Sequence, residues 1–156
     1  MKKLNLITGI LLNIVLVGCG DISTSSEVKT INGMMWQDNI NVTNNSRTYQ
    51  NAITYCQNLT LGGYSNWRLP TQSEFNSIVD KKRNPSLVIE IENFPKNDGN
   101  GIAIFATSTE FTRVDKYSFD YISAFSIYEG RWVDVMIKDP LNRGYESLYV
   151  RCIRDI

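Results

Sequence analysis

Two different periods of hydrophobic and polar positions divide this chain. From Tyr49 to Leu59 the apolar residues Tyr49, Ala52, Ile53, Cys56 and Leu59 recur every three or four positions, the spacing of one helix face. The pattern predicts a helix starting near Ser46 and ended by Gly62-Gly63. A second helix is predicted after Pro70, because proline disfavours helix at Leu69. Thr71-Gln-Ser-Glu74 has the form of a capping box: the Thr71 hydroxyl accepts from the Glu74 amide, and the Glu74 carboxylate reaches back to the Thr71 amide. Phe75, Ile78 and Val79 then share a face directed at a core.

The period changes to two in the second half. Residues 102–107 and 117–128 read as strands, the second with Phe119, Tyr121, Ser123, Phe125 and Ile127 on one face. Glu129-Gly130 reads as a tight turn into a strand over 131–137, with Val133, Val135 and Ile137 on one face. A last strand is predicted over 147–154, with Leu148, Val150 and Cys152 inward and Tyr149, Arg151 and Ile153 on the other face. Ahead of the helices, Val28 to Gln37 reads as one extended strand and Asp38 to Asn45 as a polar turn. Ser108-Thr109-Glu110 is a polar break, and Lys138 to Glu146 a polar loop. Residues 81–101 lack a pattern and read as a long irregular excursion, the kind of segment that carries function on a rigid scaffold.

The first 18 residues have the form of a targeting segment. Lys2 and Lys3 precede an apolar run from Leu4 to Val17, too short for a bilayer span. Leu16-Val17-Gly18-Cys19 has the pattern of a bacterial lipobox, which implies cleavage before Cys19 and acylation of that residue. By resemblance to enteric lipoprotein sorting rules, Gly20 rather than aspartate after Cys19 favours the outer membrane. Residues 19–29 form a lipidated polar tether, and 30–156 a single domain large enough for its own core.

Charge and composition narrow the chemistry. The chain has 16 basic and 16 acidic residues, so loss of Lys2 and Lys3 leaves a small negative net charge and argues against a nucleic-acid partner. It has no histidine, which removes Ser-His and Cys-His catalytic arrangements and the commonest metal ligand. No cofactor is expected. Once Cys19 is acylated, Cys56 and Cys152 remain in an oxidising compartment, and an even remainder suggests a disulfide. A redox or catalytic thiol is the rival reading. Arg68 reads as a structural arginine, stacked on an aromatic ring or paired with a carboxylate, with ligand binding as the alternative. Glu74 reads as a cap rather than a catalytic acid. Asn97, Asp98 and Asn100 offer oxygens in a candidate ligand loop, but the spacing and closing glutamate of a calcium loop are missing, and turn chemistry explains them. Arg143, Arg151 and Arg154 are candidates for a local basic patch.

Five blocks resemble the Lcl C-terminal domain family, named for the end of a Legionella collagen-like protein. They are Gly33-Met-Met-Trp-Gln-Asp38, Ala52-Ile-Thr-Tyr-Cys56, Leu61-Gly-Gly-Tyr-Ser-Asn-Trp-Arg-Leu-Pro-Thr71, Phe105-Ala-Thr-Ser-Thr109 and Tyr149-Val-Arg-Cys-Ile-Arg154. Phe105-Ala106 departs from the Tyr-Trp pair common in the family. The resemblance implies an α+β fold of the C-type lectin-like kind, two helices packed on small twisted antiparallel sheets, with a cystine from the first helix to the last strand. It makes Trp36, Trp67, Arg68, Pro70, Thr71, Glu74 and Arg151 structural motif residues. Arg68 to Glu74 also resembles a block of formylglycine-generating enzymes, whose late pair of active-site cysteines has only Cys152 as a counterpart here, so fold carries over and activity does not. The signature of calcium-dependent sugar-binding lectins is absent. The expected function is a non-enzymatic envelope lipoprotein whose irregular loops bind a glycan, matrix polymer or protein. The alternative is an assembly component docking on a protein partner.

Overall fold

The computed structural model describes residues 27–44, 46–80, 91, 93, 95, 103–114, 118–138 and 147–156. Where one strand was expected from Val28 to Gln37, the chain forms a hairpin of β1 (Val28–Ile31) and β2 (Met34–Gln37). Asn32 and Gly33 make its turn, with φ of 53° and 76°. Two positive φ angles are the backbone of a primed hairpin turn, and Asn-Gly adopts it most readily. The expected polar turn after β2 contains a short helix, α1 (Asn41–Asn44), held down by buried Val42.

Helix α2 (Tyr49–Gln57) begins at the N-cap Thr48, slightly later than Ser46. It buries Tyr49, Ala52 and Cys56, three members of the expected stripe. It ends at Asn58, before the glycines. Gly62 and Gly63 instead serve a tight turn closed by reciprocal backbone hydrogen bonds of 3.0 Å between Leu61 and Tyr64. Helix α3 (Gln72–Ser77) carries the capping box as expected, with both halves formed between Thr71 and Glu74. Phe75 is buried within it, and Ile78 and Val79 continue the buried face beyond its last turn.

Strands β3 (Ile104–Phe105), β4 (Glu110–Val114), β5 (Ser118–Ser126) and β6 (Arg131–Lys138) form one antiparallel sheet. β3 and β4 pair with successive parts of β5, and β6 pairs along its length. β4 overlaps the expected polar break. Four of its five residues are exposed, so no apolar alternation marks it. β5 is buried on both faces from Ile122 to Ser126, and its turn into β6 takes residues 127–130 rather than two.

The last segment is regular strand only at β7 (Ile153–Asp155), which pairs with β2 to give the sheet order β1-β2-β7. The expected strand over 147–152 is an extended connector. Leu148 bridges Arg47, Tyr149 bridges Phe105, and Ile153 also bridges Arg68. One short segment thereby joins both sheets to the start of α2 and to the link before α3.

The core has two centres. One lies under α2 and contains Trp67, Leu69, Ile122, Leu148, Val150 and the two sulfurs. The other surrounds Phe75, whose ring centroid lies 5.6 Å from that of Phe125, 5.7 Å from Phe105 and 6.2 Å from Trp36. The fold is α+β, with short helices on two small antiparallel sheets.

Candidate functional site

The Trp-Arg-Leu-Pro link is fixed from both sides. Gly62, Gly63 and Asn66 all take positive φ, which lets the chain reverse and enter the link. Trp67 is buried and donates its indole N–H to the Tyr64 carbonyl at 3.0 Å. The Arg68 backbone exchanges two 2.8 Å hydrogen bonds with Ile153. Its guanidinium meets Glu74 end-on, with Nη1 2.8 Å from Oε2 and Nη2 2.8 Å from Oε1. Nη2 also reaches Asp155 at 3.1 Å, and Nη1 donates to the Leu69 carbonyl.

Glu74 is the centre of this arrangement. The same carboxylate accepts the Thr71 amide at 2.8 Å and the Thr71 hydroxyl at 3.0 Å. The hydrogen bond from Arg68 is the main cause that holds its pKa down at about 2. Partial burial opposes it, while the Thr71 donors and the arginine's charge reinforce it. The Arg68 pKa rises, chiefly through the same hydrogen bond. Arg68 is thus the carboxylate-paired arginine the sequence suggested, and Glu74 is a cap with a second partner.

A cleft of about 220 Å³ opens beside this pair. Helix α2 supplies Tyr49, Ile53 and Gln57, the link supplies Arg68 and Leu69, and the opposite wall is Ser108 and Glu110. The Tyr49 hydroxyl donates to Glu110 Oε1 at 2.7 Å. Burial raises the Tyr49 pKa, and the hydrogen bond to Glu110 and its charge raise it further, so the phenol stays protonated as the donor. Among the described residues, no lysine or arginine pairs with Glu110. Sequence reasoning missed this cleft. Tyr49 read as core packing and Glu110 as part of a break, and only the fold brings them together across 61 residues.

Two further features are interior. Cys56 and Cys152 form a disulfide with 5.6 Å between Cα atoms, and both residues are fully buried. The free-thiol alternative is thereby overturned. Gln37 braces the bond, accepting the Cys152 amide on Oε1 at 3.2 Å and donating its own backbone amide to the Cys152 carbonyl at 2.9 Å. Arg151 is fully buried and pairs with Asp38 at 3.2 Å, so it takes no part in a surface basic patch. Burial lowers its pKa to about 10 against the opposing effect of Asp38. It also donates to the Gln37 carbonyl at 2.5 Å and to the Asn93 carbonyl. Asn93 returns its amide to Asp38 at 2.9 Å, so the pair fixes one point of the long excursion. Of the remaining patch candidates, Arg154 stands over the Tyr64 ring at 4.5 Å, and Arg143 lies outside the described residues.

Asn97, Asp98, Asn100 and Cys19 also lie outside the described residues. Trp36 and Trp67 anchor the two core centres, and Pro70 and Thr71 set the start of α3. No curated protein matches the chain, and neither does any solved structure. The profile of the Lcl C-terminal domain matches residues 28–154, from the first residue of β1 into β7. That span takes in the hairpin, the link with its arginine and glutamate, both bonded cysteines and the buried Arg151, and on it the chain belongs to the Lcl C-terminal domain family.

Proposed function

We propose that the chain is a non-catalytic binding module, lipid-anchored through Cys19 in the cell envelope, most simply at the outer membrane of a Gram-negative bacterium. On this reading the domain has a C-type lectin-like fold and recognises a glycan, a matrix polymer or a protein. The observation that carries the reading is where reactive chemistry resides in the described residues. Both cysteine sulfurs are bonded to each other in the core, and the buried arginine is paired with Asp38. Polar groups converge at the surface instead, in the cleft between α2, Arg68 and Glu110. A scaffold with a closed interior and a concave, mixed-polarity surface suits recognition.

The test is a panel of glycans, matrix polymers and envelope proteins, presented to the purified exported protein. Saturable binding to one class is expected, with no oxidation of added thiol substrates. Turnover of a thiol substrate, or silence across the whole panel, refutes the reading. Cys19→Ala should abolish incorporation of labelled palmitate in cells, and label retained by the variant refutes the anchor.

One observation favours the assembly alternative. At the far end of the larger sheet, Phe111 and Tyr121 stack at 5.7 Å, Arg113 lies 5.2 Å from the Tyr121 ring centre, and Val114 is 80 % exposed. Exposed apolar surface of this kind suits a protein partner. Crosslinking in intact cells to one envelope protein, with a silent glycan panel, would select that reading.

A further inference from the structure

The cleft beside Arg68 presents an unusual combination. Its floor is apolar, from Ile53, Leu69 and the ring of Tyr49. Its one cation among the described residues is already engaged: both Nη atoms of Arg68 bond to Glu74, Asp155 or the Leu69 carbonyl. Such an arginine has no open fork for a sulfate, phosphate or carboxylate. The charge left facing the opening is that of Glu110, which is exposed and has no cationic partner among the described residues. Tyr49 fixes that carboxylate in place through Oε1 and leaves Oε2 for another donor.

From this geometry we propose that the cleft takes the basic side chain of a partner polypeptide, its aliphatic stem on Ile53, Leu69 and Tyr49 and its cationic head on Glu110. Lysine and arginine bury their methylene stems against apolar surface while their charged ends remain at the rim, which is the division of polarity found here. An ammonium group brings three donors. Besides Glu110, the cleft is lined by Ser108 and Gln57, whose side chains carry further acceptor oxygens. A neutral apolar side chain would leave Glu110 covered and unpaired, and an anion would be repelled by it. The proposal rests on the binding-module reading and narrows it to a protein ligand.

The test uses the purified exported protein and amide chemical shifts. The probes are N-acetyl-lysine methylamide, its arginine counterpart, the neutral norleucine counterpart, 1,5-diaminopentane and an acetylated Ala-Lys-Ala amide. The lysine and arginine probes should shift amides around Ile53, Leu69 and Glu110, and norleucine should not. The tripeptide should bind more tightly than the free diamine, and raising salt should weaken both. Glu110→Gln keeps an oxygen for the Tyr49 hydroxyl, so the fold is retained, and it should weaken the lysine probes about twofold to fivefold. Glu129→Gln, on a carboxylate paired elsewhere with Arg131, should leave them unchanged.

Equal shifts with norleucine, or unchanged affinity in Glu110→Gln, overturns the cation site. A diamine that binds as tightly as the tripeptide overturns the polypeptide source in favour of a free amine. A partner from the wider panel that binds wild type and Glu110→Gln alike leaves the module reading standing and removes this assignment. Silence towards both panel and probes removes both.

Discussion

Glu74→Gln isolates one charge at the junction of α3 and the link. The carboxyl pKa is lowered from 4.5 to about 2, and its main cause is the hydrogen bond from Arg68. At about 1.4 kcal/mol per pH unit, the linkage limit is about 3 kcal/mol. Arg68 is 39 % exposed, however, and Glu74 19 %. Solvent screening on the arginine side brings the expected contribution down to about 1–2 kcal/mol. The sign follows from the direction of the shift. The folded pKa lies below the unfolded one, so the stabilisation is complete above about pH 4.5 and is lost as pH falls towards about 2. Glu74→Gln keeps an acceptor for the Thr71 amide and removes the charge. In urea, which does not screen charge, tryptophan fluorescence should show the variant about 1–2 kcal/mol less stable at about pH 7. The gap should close by about pH 2. Glu74→Ala should lose about 1 kcal/mol more at every pH, because the capping box goes with it. Equal stability of wild type and Glu74→Gln at neutral pH, or a gap that persists in acid, refutes the assignment.

Three other outcomes are expected. No free thiol should be titrated in the unfolded protein without reductant, and Cys56→Ala with Cys152→Ala should cost at most about 4–5 kcal/mol in denaturant, given a loop with a sequence separation of 96. Asp38→Asn should cost about 3–5 kcal/mol by taking the Asp38 carboxylate from a fully buried guanidinium, and adding Arg151→Met should restore much of the loss. Gly62→Ala should destabilise more than Gly63→Ala in thermal melts. Both have positive φ, but only at Gly62 would a Cβ meet Val28 Cγ2 at 3.0 Å; about 2 kcal/mol against about 1 is expected.

The parts legible in the sequence were those with local causes. The capping box, the stripe on α2 and the buried side of Phe75 each follow from spacings within a turn or two of helix. The cystine was legible because few cysteines leave few pairings. Asn32-Gly33 was a local signal as well, and reading through it produced one strand where there are two. β4 had no signal to find, since its residues are held by pairing with β5 and not by an apolar face. The burial of Arg151 was hidden for another reason. An arginine in an alternating strand reads as solvent-facing unless its partner is known, and Asp38 lies 113 residues away. Tyr49 and Glu110 were invisible as a site because each has an ordinary local role.

The order of the small sheet sets how this domain carries a mechanical load. β1 enters at the Gln37 end of β2, and β7 leaves at the Met34 end, with β2 between them. Tension applied between Val28 and Asp155 therefore runs along the strands and strains their hydrogen bonds together in shear, rather than unzipping them one by one. Should the sheet give way, the Cys56–Cys152 bond becomes the stop. Only residues 28–56 and 152–155 can then lengthen, by on the order of 100 Å at full extension, whereas the unlinked chain would reach over about 400 Å. Both core centres, α3 and the larger sheet lie mostly within the shielded loop and can stay shaped while the ends are pulled, whereas the cleft beside Arg68 loses the wall that Tyr49 and Ile53 supply and so opens under load.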